Sequence, residues 1–100
     1  MKKYTKESAT PKLKKLKGWK FINDGIEKDF KFNNFKKALS FIMNVGNAAE
    51  NNNHHPELFN VYNKVHLRLS THSEGGLTEK DFELAKEIER VRDNKILIFI

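Results

Sequence analysis

The sequence predicts an α+β sandwich of two layers, a four-stranded antiparallel sheet with three helices on one face. Three observations predict it. Apolar residues alternate with period two in two stretches, each broken by turn-forming residues, as in hairpins. Before, between and after those stretches they recur every three or four residues, as in amphipathic helices. The order is then helix, hairpin, helix, hairpin, helix, with no repeat and no interior linker in 100 residues. That length supports one core, hence a single domain spanning 1–100.

The first helix is expected to begin at Thr10-Pro11, a cap followed by proline at the first helical position. It would carry Leu13 and Leu16 and stop at Gly18. A helix of about two turns is marginal alone, so its leucines must dock it. Seven lysines fall within the first seventeen residues, and from Gly18 onward the charge is close to balanced. Residues 1–9 therefore read as a basic, solvated arm.

Trp19–Asn23 and Ile26–Phe32 flank Asp24-Gly25. Asp-Gly between two such runs signals a hairpin, with glycine expected to take the positive φ of the turn. Ile26, Phe30 and Phe32 share one face of the second strand, and Glu27, Asp29 and Lys31 share the other.

From Asn34 the period changes. Phe35, Ala38, Leu39, Ile42, Val45 and Ala49 mark a helix ending near Glu50, with Asn33 or Asn34 as its cap. Asn51-Asn52-Asn53 breaks it, and His54-His55-Pro56 follows in a segment that proline keeps extended.

Leu58 to Thr71 is β-rich, with Asn63-Lys64 as the expected turn. That turn would pair Tyr62 with Val65, Asn60 with Leu67 and Leu58 with Leu69 on one face. Phe59 and Val61 would lie with His66 and Arg68 on the other, leaving both faces partly apolar. Gly75-Gly76 reads as a turn. Thr78 with Asp81 is a capping-box variant, opening a helix that runs to about Arg92. An apolar tail occupies 95–100.

Composition narrows the function. The absence of cysteine removes disulfide frameworks, thiolate nucleophiles and Cys-based zinc sites, and fits a reducing compartment. No apolar h-region follows the basic start, and no run nears the ~20 apolar residues of a membrane span, so a cytoplasmic protein is expected. The net charge of +6 is confined to the N-terminal end, and no helix offers arginines or amides for base edges. Direct nucleic-acid binding is not expected.

Four histidines, His54, His55, His66 and His72, are the residues able to exchange protons near neutral pH. His66 sits mid-strand and reads as structural. The other three lie on two segments that could face each other beside a sheet edge.

The assembled pattern is more specific than any part of it. Glu50-Asn-Asn-Asn-His54-His55-Pro56, Phe59-Asn-Val-Tyr62-Asn-Lys, Ser70-Thr71-His72, Gly75-Gly76-Leu77-Thr78 and Asp81 resemble the signature of the pterin-4a-carbinolamine dehydratase family. The resemblance covers roughly Gly18 to Val91. It implies a dehydratase that converts 4a-hydroxytetrahydrobiopterin to the quinonoid dihydropterin, as in tetrahydrobiopterin recycling. It assigns catalysis to His54, His55 and His72, with His54 and His72 as the proton-transfer pair and His55 orienting the pterin. Pro56, Thr71, Ser73 and Glu74 would contact the substrate. Glu50 and Asp81 would support the histidines, or merely end and cap their helices, capping being the favoured reading for Asp81. Leu58 departs from the family, which often has tryptophan there.

The same histidines with Glu50 or Asp81 could in principle ligate zinc. Adjacent histidines rarely both reach one ion, His-x-x-x-His spacing is missing, and the resembled family is metal-free, so no metal or cofactor is expected. Related proteins form dimers and tetramers, which implies a homodimer or homotetramer. Animal members also bind a homeodomain transcription factor, a partner that the motif residues do not report.

Overall fold

The computed structural model describes residues 2–93. In chain order the elements are α1 (Lys6–Leu13), β1 (Lys20–Ile22), β2 (Gly25–Lys31), α2 (Phe35–Asn52), β3 (Glu57–Val61), β4 (Lys64–Leu69), a 3₁₀ turn at His72–Glu74 and α3 (Glu79–Asp93). The strands form one open antiparallel sheet in the order β1-β2-β4-β3. Three helices against a four-stranded antiparallel sheet is the predicted class. The tail at 95–100 lies outside the described residues.

The core lies between the sheet and the helices. Ile26 and Phe30 of β2 and Val65, Leu67 and Leu69 of β4 are buried against Phe41, Val45 and Ala48 of α2 and Phe82, Ala85 and Ile88 of α3. Phe82 is fully buried, and a side chain of its size in such a place contributes about 3–5 kcal/mol. Trp19, just before β1, is buried as well; its indole N–H donates to Glu89 at 2.7 Å, which ties the chain entering β1 to α3.

Four local expectations need correcting. The first helix starts at Lys6, not Thr10, because Thr5 and Ser8 form a reciprocal capping box there. Thr10 and Pro11 lie inside it. Pro11 forgoes only the bond to the carbonyl of Glu7, an exposed residue where water can substitute. Residues 6–9 are thus helical, and Ala9 is buried.

In the first hairpin the positive φ values fall on Asn23 (45°) and Asp24 (61°). Gly25 is needed for another reason. A Cβ there would stand 2.7 Å from the Leu69 carbonyl oxygen and 2.8 Å from the Arg68 guanidinium. Glycine lets β4 approach β2 closely.

On α2 the core stripe is Ala38, Phe41, Val45, Ala48 and Ala49. Phe35 and Leu39 instead lie exposed, in line with Met43, which is 67% exposed. Apolar residues surround much of this helix, and the alanines win the core side because small side chains permit close approach to the sheet. Its N-cap is Asn34, whose side chain accepts from the Lys37 N–H.

In the second hairpin the turn is Tyr62-Asn63, with Tyr62 at φ 50°. Leu58 pairs with Leu67 and Phe59 with His66, a register displaced from the expected one by two residues. A shift of two preserves which side chains share a face, so the face assignment stands. Phe59 (66% exposed) and Val61 remain on the open side of edge strand β3.

That open side of the sheet is otherwise charged. His66 bonds Asp29 at 2.7 Å through Nδ1 and Glu27 at 2.9 Å through Nε2. Arg68 joins Glu27 at 2.9 Å and donates to the carbonyls of Ile22 and Asn23. The bond to Asp29, reinforced by Glu27 and opposed by burial, raises the His66 imidazole above its ordinary value.

Candidate active site

The site begins where α2 ends. Asn53 takes the left-handed conformation (φ 49°), and its N–H turns back to the carbonyls of Ala49 and Glu50. Asparagine tolerates that conformation better than most residues, which is what the run of asparagines supplies. The His54 N–H also returns to the Ala49 carbonyl, at 3.1 Å. His54 is therefore anchored to the helix end before Pro56 leads the chain into β3.

The hairpin brings the second segment alongside. Glu57 pairs with Arg68 at the open end of the β3–β4 ladder. Counting three residues back from Glu57 and three on from Arg68 sets His54 opposite Thr71. The loop after Thr71 is closed by two backbone bonds between Thr71 and Gly76, at 2.8 and 3.2 Å.

Asp81 bridges the two segments. Its Oδ1 lies 2.5 Å from His54 Nε2, and its Oδ2 accepts from the Thr71 hydroxyl and the Thr78 N–H, both at 2.9 Å. Thr71 spends its one hydrogen on Asp81, so the Thr78 hydroxyl donates to Thr71 across 2.7 Å. Asp81 is wholly buried, where such charge-assisted bonds are stronger than in water. It also caps α3 through Thr78, so capping and histidine support are combined in one carboxylate. A carboxylate only accepts, so His54 donates from Nε2. Nδ1 has no partner among the described residues, and in a ring that carries its one proton on Nε2 it is the acceptor.

The other predicted residues are arranged more loosely. His55 is exposed and pairs through Nε2 with Glu50 at 2.6 Å, on the surface, where such pairs are weak. His72 opens the 3₁₀ turn directly after Thr71, with its ring exposed and without a hydrogen bond among the described residues. Ser73 is exposed, while Pro56 and Glu74 are half-buried. The structure thus joins His54, Thr71 and Asp81 by direct bonds, and Glu50 to His55. It leaves His72 and Ser73 as neighbours in the chain.

A cavity of about 220 Å³ opens beside His54, lined also by Asn52, Glu79, Lys80 and Glu83. Sequence reasoning missed this wall. The available signal was that Glu79 and Lys80 share the first turn of α3 with Asp81. Among the described residues, no group of three or more His, Cys, Asp or Glu is arranged to hold a metal ion, and no helix is long and apolar enough to cross a membrane.

Fold and site together define a small two-layer α+β domain in which a histidine at the open end of a hairpin is held by a buried carboxylate. The chain is a member of the pterin 4 alpha carbinolamine dehydratase family, whose model matches residues 2–91. A relative from Sulfolobus acidocaldarius, named provisionally as a pterin-4-alpha-carbinolamine dehydratase, is 47% identical over 81% of this chain and 89% of its own. One from Sinorhizobium fredii with the same provisional name is 49% identical over 84% and 82%. The crystal structure of a transcriptional coactivator/pterin dehydratase from Brucella melitensis superposes with a TM-score of 0.87 at 35% identity, covering 91% of this chain and 99% of that one. A pterin dehydratase-like RuBisCO assembly factor of the α-carboxysome shares the fold, with a TM-score of 0.64 at 14% identity over 77% and 89%.

Proposed function

We propose that this protein dehydrates 4a-hydroxytetrahydrobiopterin to quinonoid dihydrobiopterin by histidine acid–base catalysis, without a metal, as a step in tetrahydrobiopterin recycling. The single observation that carries the reading is the bonded chain His54–Asp81–Thr71, which supplies an oriented imidazole where the family signature requires one.

The chemistry is modest in its demands. The 4a hydroxyl leaves as water once protonated, the N5–H proton is removed, and the C4a=N5 double bond forms, so one water is lost overall. One acid and one base suffice. His54, oriented through Nε2, offers Nδ1 for proton exchange, and His72 is its partner across the open end of the hairpin. His55, steadied by Glu50, orients the pterin, with Pro56, Thr71, Ser73 and Glu74 as further contacts.

The test is a stopped assay with freshly generated 4a-carbinolamine, compared with buffer alone because the reaction also proceeds uncatalysed. A rate no faster than buffer sinks the reading.

Exposed apolar side chains favour a second, compatible property. Leu58, Phe59 and Val61 on edge strand β3, Tyr62 in the turn that follows it, and Phe35, Leu39 and Met43 on α2 are more surface than one small domain leaves uncovered without a partner. We infer a homodimer or homotetramer in the cytoplasm, and light scattering that returns a monomer at high concentration contradicts it. The Brucella melitensis neighbour, a transcriptional coactivator/pterin dehydratase, raises the alternative of an interaction protein on the same fold. An active enzyme that recovers no partner from extract leaves the dehydratase reading alone.

A further inference from the structure

The N-terminal segment is not a solvated arm; it is fastened to the turn of α3 that holds the candidate site. Three kinds of contact fasten it. The Tyr4 N–H donates to the Leu77 carbonyl at 2.7 Å. The Tyr4 hydroxyl donates to Glu79 Oε1 at 2.8 Å, and the Tyr4 ring packs edge-on against Phe82 with centroids 4.9 Å apart. Lys12, from α1, reaches the same Glu79 carboxylate at 3.0 Å and lies over both aromatic rings.

These contacts fall on Leu77, Glu79 and Phe82, which bracket Thr78 and Asp81. Glu79 is the shared acceptor. Burial pushes its carboxyl up, but the bonds from Tyr4 and Lys12 outweigh it and hold the group below its ordinary value, while Tyr4 and Lys12 are both raised by their bonds to Glu79. The cluster therefore keeps its charges, as neutral phenol, ammonium and carboxylate, across the neutral range. Glu79 also forms part of the cavity wall beside His54.

We propose that Glu79 is a positioning residue: Tyr4 and Lys12, by gripping it, set the first turn of α3 and so hold Asp81 on Nε2 of His54. Residues 2–13 are on this view part of the site's framework. A turn that bears one oriented carboxylate has little tolerance, since misplacement of a reacting group by about 1 Å can slow a reaction by as much as ~10²-fold.

The experiment reads His54 directly and does not need a substrate. With ¹⁵N-labelled histidine, NMR at a pH where the ring is neutral reports which nitrogen carries the proton. The unaltered protein is expected to show the Nε2–H tautomer. Tyr4→Phe, which keeps the ring against Phe82 and removes only the hydroxyl, and Glu79→Ala are each expected to give mixed tautomers and a kcat lower by roughly threefold to tenfold, with KM changed less than twofold. Glu79→Gln, whose carbonyl can still accept from Tyr4, is expected to restore most of the Nε2–H signal. If Tyr4→Phe and Glu79→Ala lower the melting temperature but leave tautomer and kcat unchanged, the contacts serve stability alone and the proposal fails. A fall in kcat with an unchanged tautomer also overturns it, because Glu79 would then act on the substrate itself. The kinetic readout rests on the dehydratase reading. The tautomer readout does not, so failure of either idea is seen separately.

Discussion

Asp81 Oδ1 lies 2.5 Å from His54 Nε2, and the same carboxylate accepts two further hydrogen bonds at Oδ2 while fully excluded from water. One buried group thus fixes the direction of an imidazole, the hydroxyl of Thr71 and the first turn of α3.

Replacing that group separates its two duties. Asp81→Ala orphans the Thr78 N–H, the Thr71 hydroxyl and the His54 ring together, and is expected to destabilise the fold by about 3 kcal/mol, read from urea unfolding. Asp81→Asn is nearly isosteric and should unfold closer to normal. It should nevertheless slow dehydration by about 10- to 100-fold, the scale of a lost orienting partner. Equal rates in Asp81→Asn and the unaltered protein contradict the orienting role.

His54→Ala and His72→Ala should each reduce the dehydration rate by about 10²-fold or more, with circular dichroism unchanged. His55→Ala, whose ring sits on the surface beside Glu50, should raise KM more than it lowers kcat. Normal rates in both of the first two variants mean that the proton-transfer roles are wrongly assigned.

His66 gives a pH signature away from the site. Its folded-state value is raised by Asp29 and Glu27, so the imidazolium contributes stability that is fully present below the unfolded value of about 6.5. That contribution is lost as pH rises through the elevated folded value. The urea midpoint should therefore fall over this window, and in His66→Gln the decline should flatten. A slope that persists unchanged in the variant assigns it to other groups.

Gly25→Ala tests the close approach of β2 and β4. The added methyl meets a backbone carbonyl at 2.7 Å, which cannot swing aside as a side chain can. A loss of about 1–3 kcal/mol is expected by thermal or urea unfolding. Since Gly25 has no positive φ, a neutral result points to an easily shifted strand, not to backbone permissiveness.

Much of the architecture was legible because it rests on local rules. The cap at Asn34, the break at Asn53, the box of Thr78 with Asp81 and the alternation in β2 and β4 depend on neighbours in the chain. What escaped depends on the third dimension. Thr10-Pro11 looked like a better helix start than Thr5, yet Ser8 completes a box only with Thr5. Phe35 and Leu39 fit the helical period as well as Phe41 does, and only the sheet beneath selects the alanine-bearing side. The register of the second hairpin turned on whether Tyr62 would accept φ 50°, a choice its side chain does not announce.

In the site, the histidines and Asp81 stood out as a resemblance, whereas the bond from Asp81 to Thr71 joins residues ten apart and no periodicity predicts it. The grip of Tyr4 on Glu79 spans 75 positions and was equally silent.

The antiparallel hairpin of β3 and β4 has one more implication. A residue entering its first arm and one leaving its second meet at the mouth however long the arms are, provided both change together. Lineages could therefore trim or extend this ribbon by matched pairs while the reacting groups keep their spacing. An unpaired insertion would slide one rim past the other, and a single residue added to each arm would turn both rims to the opposite face, so length variation in such proteins should come in steps of two residues per arm.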